Sequence, residues 1–165
     1  MSNSYDPSQW YVIQSGKRKG EALELLMFKD YHFLCWFKEN KLKGGKNKNK
    51  LQLHLEWLLR QGETRQTKML CPFCKSEPVK YFSVAYSFND FSVGSGYTCC
   101  RKKECIESLR GMAMGKPVTL LEFKFSNLRR FNKTDARTRI SELYRKAFGL
   151  DKPLTRKRAF QFFKE

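Results

Sequence analysis

Apolar residues recur along the chain with two different periods. Leu51, Leu55, Leu58 and Leu59 fall at helical spacing and predict a helix over residues 51–61, with Gly62 as its stop. Ala136, Ile140, Leu143, Tyr144, Ala147 and Phe148 mark one face of a second amphipathic helix, opened by Thr134 or Asp135 as N-cap and ended by Gly149. A short helix over residues 155–163 follows Pro153. Another follows Cys105, where Ile106, Leu109 and Met112 or Met114 repeat. Leu23, Leu25 and Leu26 suggest a short turn, and Tyr31, Leu34, Trp36 and Phe37 a helix over about residues 30–39. The other period is two. Residues 79–86 alternate in part and are rich in aromatic and β-branched side chains. Residues 88–98 read as a second strand pair interrupted by glycine, and strands are also expected at 10–14 and 118–125. The class is α+β: a small helical and hairpin module, then a β unit, then a helical tail.

The polar stretches set the boundaries. Residues 1–10 read as a flexible lead-in, 11–62 as the first module, 63–68 as a linker, 69–114 as the β unit and 115–165 as a basic tail with two helices. Residues 40–50 hold lysine, asparagine and adjacent glycines around one apolar residue, Leu42, and predict a mobile loop. The two tail helices, joined through Gly-Leu-Asp-Lys-Pro, have the order of a helix-turn-helix, but an ordinary helical hairpin is the commoner arrangement.

Charge changes the picture. Lysine and arginine number 33 against 16 acids in 165 residues, a formal net charge of +17. With 41% hydrophobic and 15% aromatic residues the chain is expected to fold rather than stay disordered. A folded protein this basic repels itself unless a polyanion or counterions neutralise it, so nucleic acid is the default partner. No apolar run approaches transmembrane length, which argues against a membrane.

The cysteines add chemistry. Cys71-Pro72-Phe73-Cys74 is a Cys-x-x-Cys turn stiffened by proline, and Cys99, Cys100 and Cys105 follow about two dozen residues later. Two chelating turns, each with two thiolates, make a closed four-cysteine zinc ribbon, so structural Zn²⁺ held by Cys71, Cys74, Cys105 and either Cys99 or Cys100 is expected. On a strand Tyr97 and Cys99 share a face while Cys100 points away, and this favours Cys99. A disulfide framework is the weaker alternative, because residues 1–9 are polar and lack the apolar core of a signal peptide. A thioredoxin-like redox pair needs a βαβ context that is not evident. Zinc thiolates imply a reducing compartment, cytoplasmic or nucleoid or nuclear.

Ser15-Gly16-Lys17-Arg18-Lys19-Gly20, then Leu23 to Leu26, then Tyr31-His32-Phe33-Leu34-Cys35-Trp36-Phe37 form a recognisable series, and His54-Leu55-Glu56-Trp57-Leu58-Leu59 completes it. Over residues 13–61 the chain resembles the small C-terminal domain of exodeoxyribonuclease X-like proteins. Arg18 departs from that pattern where an aromatic is usual, and the lysine and asparagine loop reads as an insertion. The resemblance implies a nucleic-acid-associated module. It does not imply a nuclease, since the exonuclease activity of that family resides in a separate domain with a carboxylate cluster. The five aspartates here, Asp6, Asp30, Asp90, Asp135 and Asp151, include no Asp-x-Glu pair on a strand.

Candidate phosphate contacts are Lys17, Arg18 and Lys19 in the glycine-bounded turn, Arg101, Lys102 and Lys103 between the zinc ligands, and Arg129 and Arg130 in the tail. Against this stands the plain reading of each as a solvated turn. Lys41, Lys43, Lys46, Lys48 and Lys50 would add non-specific charge. Tyr81, Phe82, Tyr86, Phe88 and Phe91 are expected to form a ribbon core more than a surface for stacking on bases. Trp36 and Trp57 are expected as core anchors, His32 and Cys35 as packed residues, and His54 on a helix surface. No nucleophile, base and acid set stands out. The expected function is a non-catalytic nucleic-acid-binding accessory protein, with single strands slightly favoured over duplex. A protein-interaction module on a ribosome or polymerase is the alternative, and a metal-dependent nuclease the third.

Overall fold

The computed structural model describes residues 5–42, 49–87, 90–92 and 96–165. Most of the lysine-rich loop, and Phe88, lie outside the described residues. So do the side chains of Tyr86 and Phe91. The fold is α+β, as the two periodicities require. The chain forms two units, residues 1–65 with 153–165, and residues 66–152. The expected tail therefore does not stand as one segment: its first helix belongs to the second unit and its last to the first.

In the first unit Gly16 and Gly20 take φ of +82° and +87°, which an L side chain rarely adopts. They close a tight loop in which the amide of Ile13 donates to Glu21 O at 2.9 Å and that of Gly20 to Ile13 O at 2.9 Å. Val12 and Ala22 pair as a single bridge in place of the expected strand. The expected turn at Leu23 is instead a helix, α1 (Leu23–Lys29), because Leu23, Leu26 and Met27 find a core to bury in. Asp30 caps α2 (Tyr31–Asn40), accepting from the Phe33 amide at 3.2 Å. Asn49 caps α3 (Lys50–Thr64). This helix runs on through Gly62, which lies buried within it rather than in a left-handed cap. In the last helix of the chain, residues 156–164, Ala159, Phe160, Phe162 and Phe163 are buried. Phe28 meets Phe162 and Phe163 with ring centroids 5.7 and 6.0 Å apart, and Trp57 meets Phe160 at 6.2 Å.

Three further expectations change here. His54 is a core residue, not a surface one: its Nε2 donates to Glu24 at 2.6 Å, and both side chains are almost wholly buried. The lead-in is tied down at Tyr5, whose hydroxyl shares a hydrogen bond with His54 Nδ1 at 3.1 Å. Trp57 is a core anchor, whereas Trp36 is 47% exposed.

The second unit is built on β1 (Tyr81–Ser87). It pairs antiparallel with β2 (Asp90–Ser92), β3 (Thr98–Cys99) and β4 (Thr119–Glu122). Phe82 lies among Phe123, Phe131 and Tyr144, and Tyr144 among Phe125 and Phe148; all are buried. Tyr81 packs instead against a cluster of Cys71, Cys99, Cys100, Cys105 and Leu109. Strand alternation thus sends Phe82 to an aromatic core and Tyr81 to the cysteines. β4 is shorter than expected: the Asn127 side chain donates from Nδ2 to Glu122 O at 2.8 Å, and a 3-10 helix (Phe125–Arg130) follows. α4 (Lys103–Gly111) begins before Cys105 rather than after it. α5 (Thr134–Ala147) follows Lys133, so Thr134 and Asp135 are its first helical residues and not its cap. α5 ends where glycine predicts: Gly149 at φ +73° lets its amide reach Lys146 O and that of Leu150 reach Arg145 O, a Schellman closure. The helix at the chain's end is α6 (Arg156–Lys164).

Candidate metal centre and basic surfaces

Two turns build the centre. In the first, the amide of Lys75 donates to Cys71 O at 2.8 Å and that of Cys71 to Glu77 O at 2.7 Å, with Lys75 left-handed at φ 54°. The chain therefore doubles back within a few residues, and Cys71 and Cys74 face the same space. The second turn starts as β3 ends. Cys100 leaves the sheet, and Cys105 sits in the first turn of α4. The sulfurs of Cys71, Cys74, Cys100 and Cys105 all lie within 4.8 Å of one another, and those of Cys74 and Cys100 are 3.8 Å apart.

Strand alternation favours Cys99 as a ligand, and this is corrected: Cys100 completes the set. β3 stops at Cys99, whose carbonyl still accepts from the Lys80 amide at 2.7 Å, so alternation does not extend to the next residue. Cys99 lies opposite Tyr81 in the ladder. Burial, with the nearby Cys71 and Cys100 sulfurs, pushes its thiol up to about 11.

Electrostatics divide the four ligand sulfurs. The Ser76 side chain and the amides of Ser76 and Glu77 hydrogen-bond to Cys74 and lower its thiol to about 6. Burial opposes ionisation of Cys71, but amides of Cys74, Cys100 and Phe73 outweigh it and lower that thiol too. Burial raises Cys100, and burial with hydrogen bonds to its neighbouring thiols pushes Cys105 up to about 12. Thiols this close resist ionising together unless a cation balances them, which is the chemistry of a thiolate metal site. The four cysteines can hold a metal ion.

No family model matches the chain, and comparison with curated proteins and with solved structures returned no match.

The candidate cations separate by engagement. Lys17 and Lys19 are exposed on their turn, while Arg18 between them is turned inward to Glu21 at 3.1 Å and to Asp30. Lys102 ties the two chelating turns together, reaching Glu77 at 3.3 Å and Ser76 Oγ at 3.2 Å. Arg101 is exposed, and Lys103 is exposed with Glu107 at 3.8 Å. Arg129 and Arg130 are exposed on the 3-10 helix, where Arg130 Nε donates to Asn127 at 3.2 Å. Among the described residues no helix is long and apolar enough to cross a membrane.

Sequence reasoning missed two features. Nothing in the sequence sets Glu24 apart, yet its side chain is buried and accepts from His54 and from the Tyr11 amide at 3.2 Å. Trp36, expected in the core, is exposed. Its signal is present in the chain: Phe33, Trp36 and Phe37 form an apolar set at i, i+3 and i+4, separate from Tyr31, Leu34 and Cys35.

Proposed function

We propose that the protein is a non-catalytic nucleic-acid-binding accessory factor whose second unit is held by a structural Zn²⁺ ion. The observation that carries this reading is the four-thiol centre with Arg101, Lys102 and Lys103 placed between two of its ligands. Zinc bonded to four sulfurs at about 2.3 Å in a tetrahedron spaces them about 3.8 Å apart. The Cys74 and Cys100 sulfurs stand at that spacing. Such a site is closed, so the ion's role is structural and no position is left for substrate. A rigid turn then presents Arg101 and Lys103 outward, and a net charge of +17 gives the chain a polyanion-seeking field. The exodeoxyribonuclease X-like resemblance of residues 13–61 is part of the same proposal.

Purified, zinc-loaded protein is expected to bind DNA or RNA with an affinity that falls steeply as salt rises. Titration of single- and double-stranded probes across ionic strength checks this. Absence of binding at low salt rejects it.

A second reading, a protein-interaction module, is favoured by one feature. An open groove of about 350 Å³ in the second unit is lined by Val84, Tyr97, Met112, Met114, Pro117 and Val118 among others. Met114 is 89% exposed there. Binding that survives high salt and needs these methionines would favour a protein partner.

A further inference from the structure

Helix α2 carries two apolar faces where a ten-residue helix on a small core needs one. Tyr31, Leu34 and Cys35 are buried. Phe33, Trp36 and Phe37 project from the opposite side, since at about 100° per residue the two triplets are centred about half a turn of the helix apart. Phe33 and Phe37 are half-buried and stacked, with centroids 5.6 Å apart, and Phe33 lies 6.1 Å from Trp36 at an interplanar angle of 34°. Trp36, the outermost ring, is 47% exposed.

The surroundings of this aromatic ladder are cationic. The Arg18 guanidinium lies 5.5 Å from the Phe33 centroid, and Lys41 Nζ lies 5.9 Å from that of Trp36. Arg18 is fixed by Glu21 and Asp30, so these two acids are already neutralised. Its chain neighbours Lys17 and Lys19 stay exposed at the Phe33 end. The acid on α2 itself is Glu39.

We infer that Phe33, Trp36 and Phe37 form a stacking platform for unpaired bases of a single-stranded nucleic acid, with Lys17, Lys19 and Lys41 receiving its phosphates. This rests on the nucleic-acid reading above and deepens it, because flat rings between lysines match a strand whose bases are free and whose backbone is anionic. In a duplex the base faces are already stacked on one another and closed to Trp36.

The test uses the full-length, zinc-loaded chain with oligothymidylate and oligouridylate as single strands and a DNA duplex of equal length. Trp36→Ala is expected to weaken single-strand binding about tenfold, with an unchanged salt slope and unchanged duplex binding. Trp36→Phe should recover most of the loss. Changing Lys17 and Lys19 to serine should weaken both kinds of probe and flatten the salt slope by about one for each phosphate no longer neutralised. Single-strand binding by Trp36→Ala equal to that of the unmodified chain would overturn the platform and leave the general reading intact. An unmodified chain that binds no probe at low salt would overturn both.

Discussion

The two units solve the problem of a small core differently. The first buries a continuous apolar set, closed by Phe160, Phe162 and Phe163 of α6, and tolerates one fully buried polar pair, Glu24 with His54. The second sets an aromatic core of Phe82, Phe123, Phe131, Tyr144 and Phe148 beside a cluster whose members are mostly cysteines. Cysteine side chains supply little apolar area, and Phe73, Tyr81, Tyr97, Ile106, Val118 and Leu120 around them are only partly buried, so a metal held by the four sulfurs would bear much of the stability of that end of the unit. The first unit depends on hydrophobic area and on one hydrogen-bonded charge.

That contrast can be broken at either end. The largest effect is expected from Cys100→Ser. Structural zinc contributes on the order of 10 kcal/mol in small zinc domains, so the variant should lose bound metal and cost the second unit several kcal/mol while the first keeps its structure. Metal content and limited proteolysis, which reports each unit separately, check this; Cys99→Ala should keep its metal. Next is His54→Leu, which removes a donor from the buried Glu24 carboxylate and leaves it the Tyr11 amide. It should cost the first unit about 3–5 kcal/mol and spare metal binding, as urea unfolding followed by tryptophan fluorescence would show, since Trp10, Trp36 and Trp57 all lie in that unit. The smallest effect concerns the aromatic core. Tyr144→Phe removes a hydroxyl that donates to Lys124 O at 2.7 Å and should cost about 1–2 kcal/mol, read as a shifted urea midpoint at constant slope.

Much of this is legible in the residues. The hydrophobic periods place α2, α3, α5 and the strand β1, Pro153 marks the approach to α6, and Gly149 marks the end of α5 as a left-handed cap must. The Cys-x-x-Cys turn and Cys105 also announce themselves. What fails does so for identifiable reasons. The choice of Cys99 assumes that alternation outlasts the strand, but β3 ends at that residue. His54 and Trp36 change places because the sequence of a helix does not say which of its sides meets the core; that depends on the other helices of the unit, of which α6 is distant in sequence. Arg18 and Lys102 look like free cations because charge is visible in a sequence and the carboxylate opposite it is not.

The chain order of the units has a consequence for synthesis. Every residue of the second unit, including all four clustered cysteines, has been translated by Lys152, while the first unit still lacks α6. The first unit is therefore discontinuous in sequence: the segment that completes it lies beyond the whole of the second. Until Phe160, Phe162 and Phe163 are made, the unit that began first holds an open apolar surface on Phe28 and Trp57, and its core closes only once residues 153–165 follow the second unit.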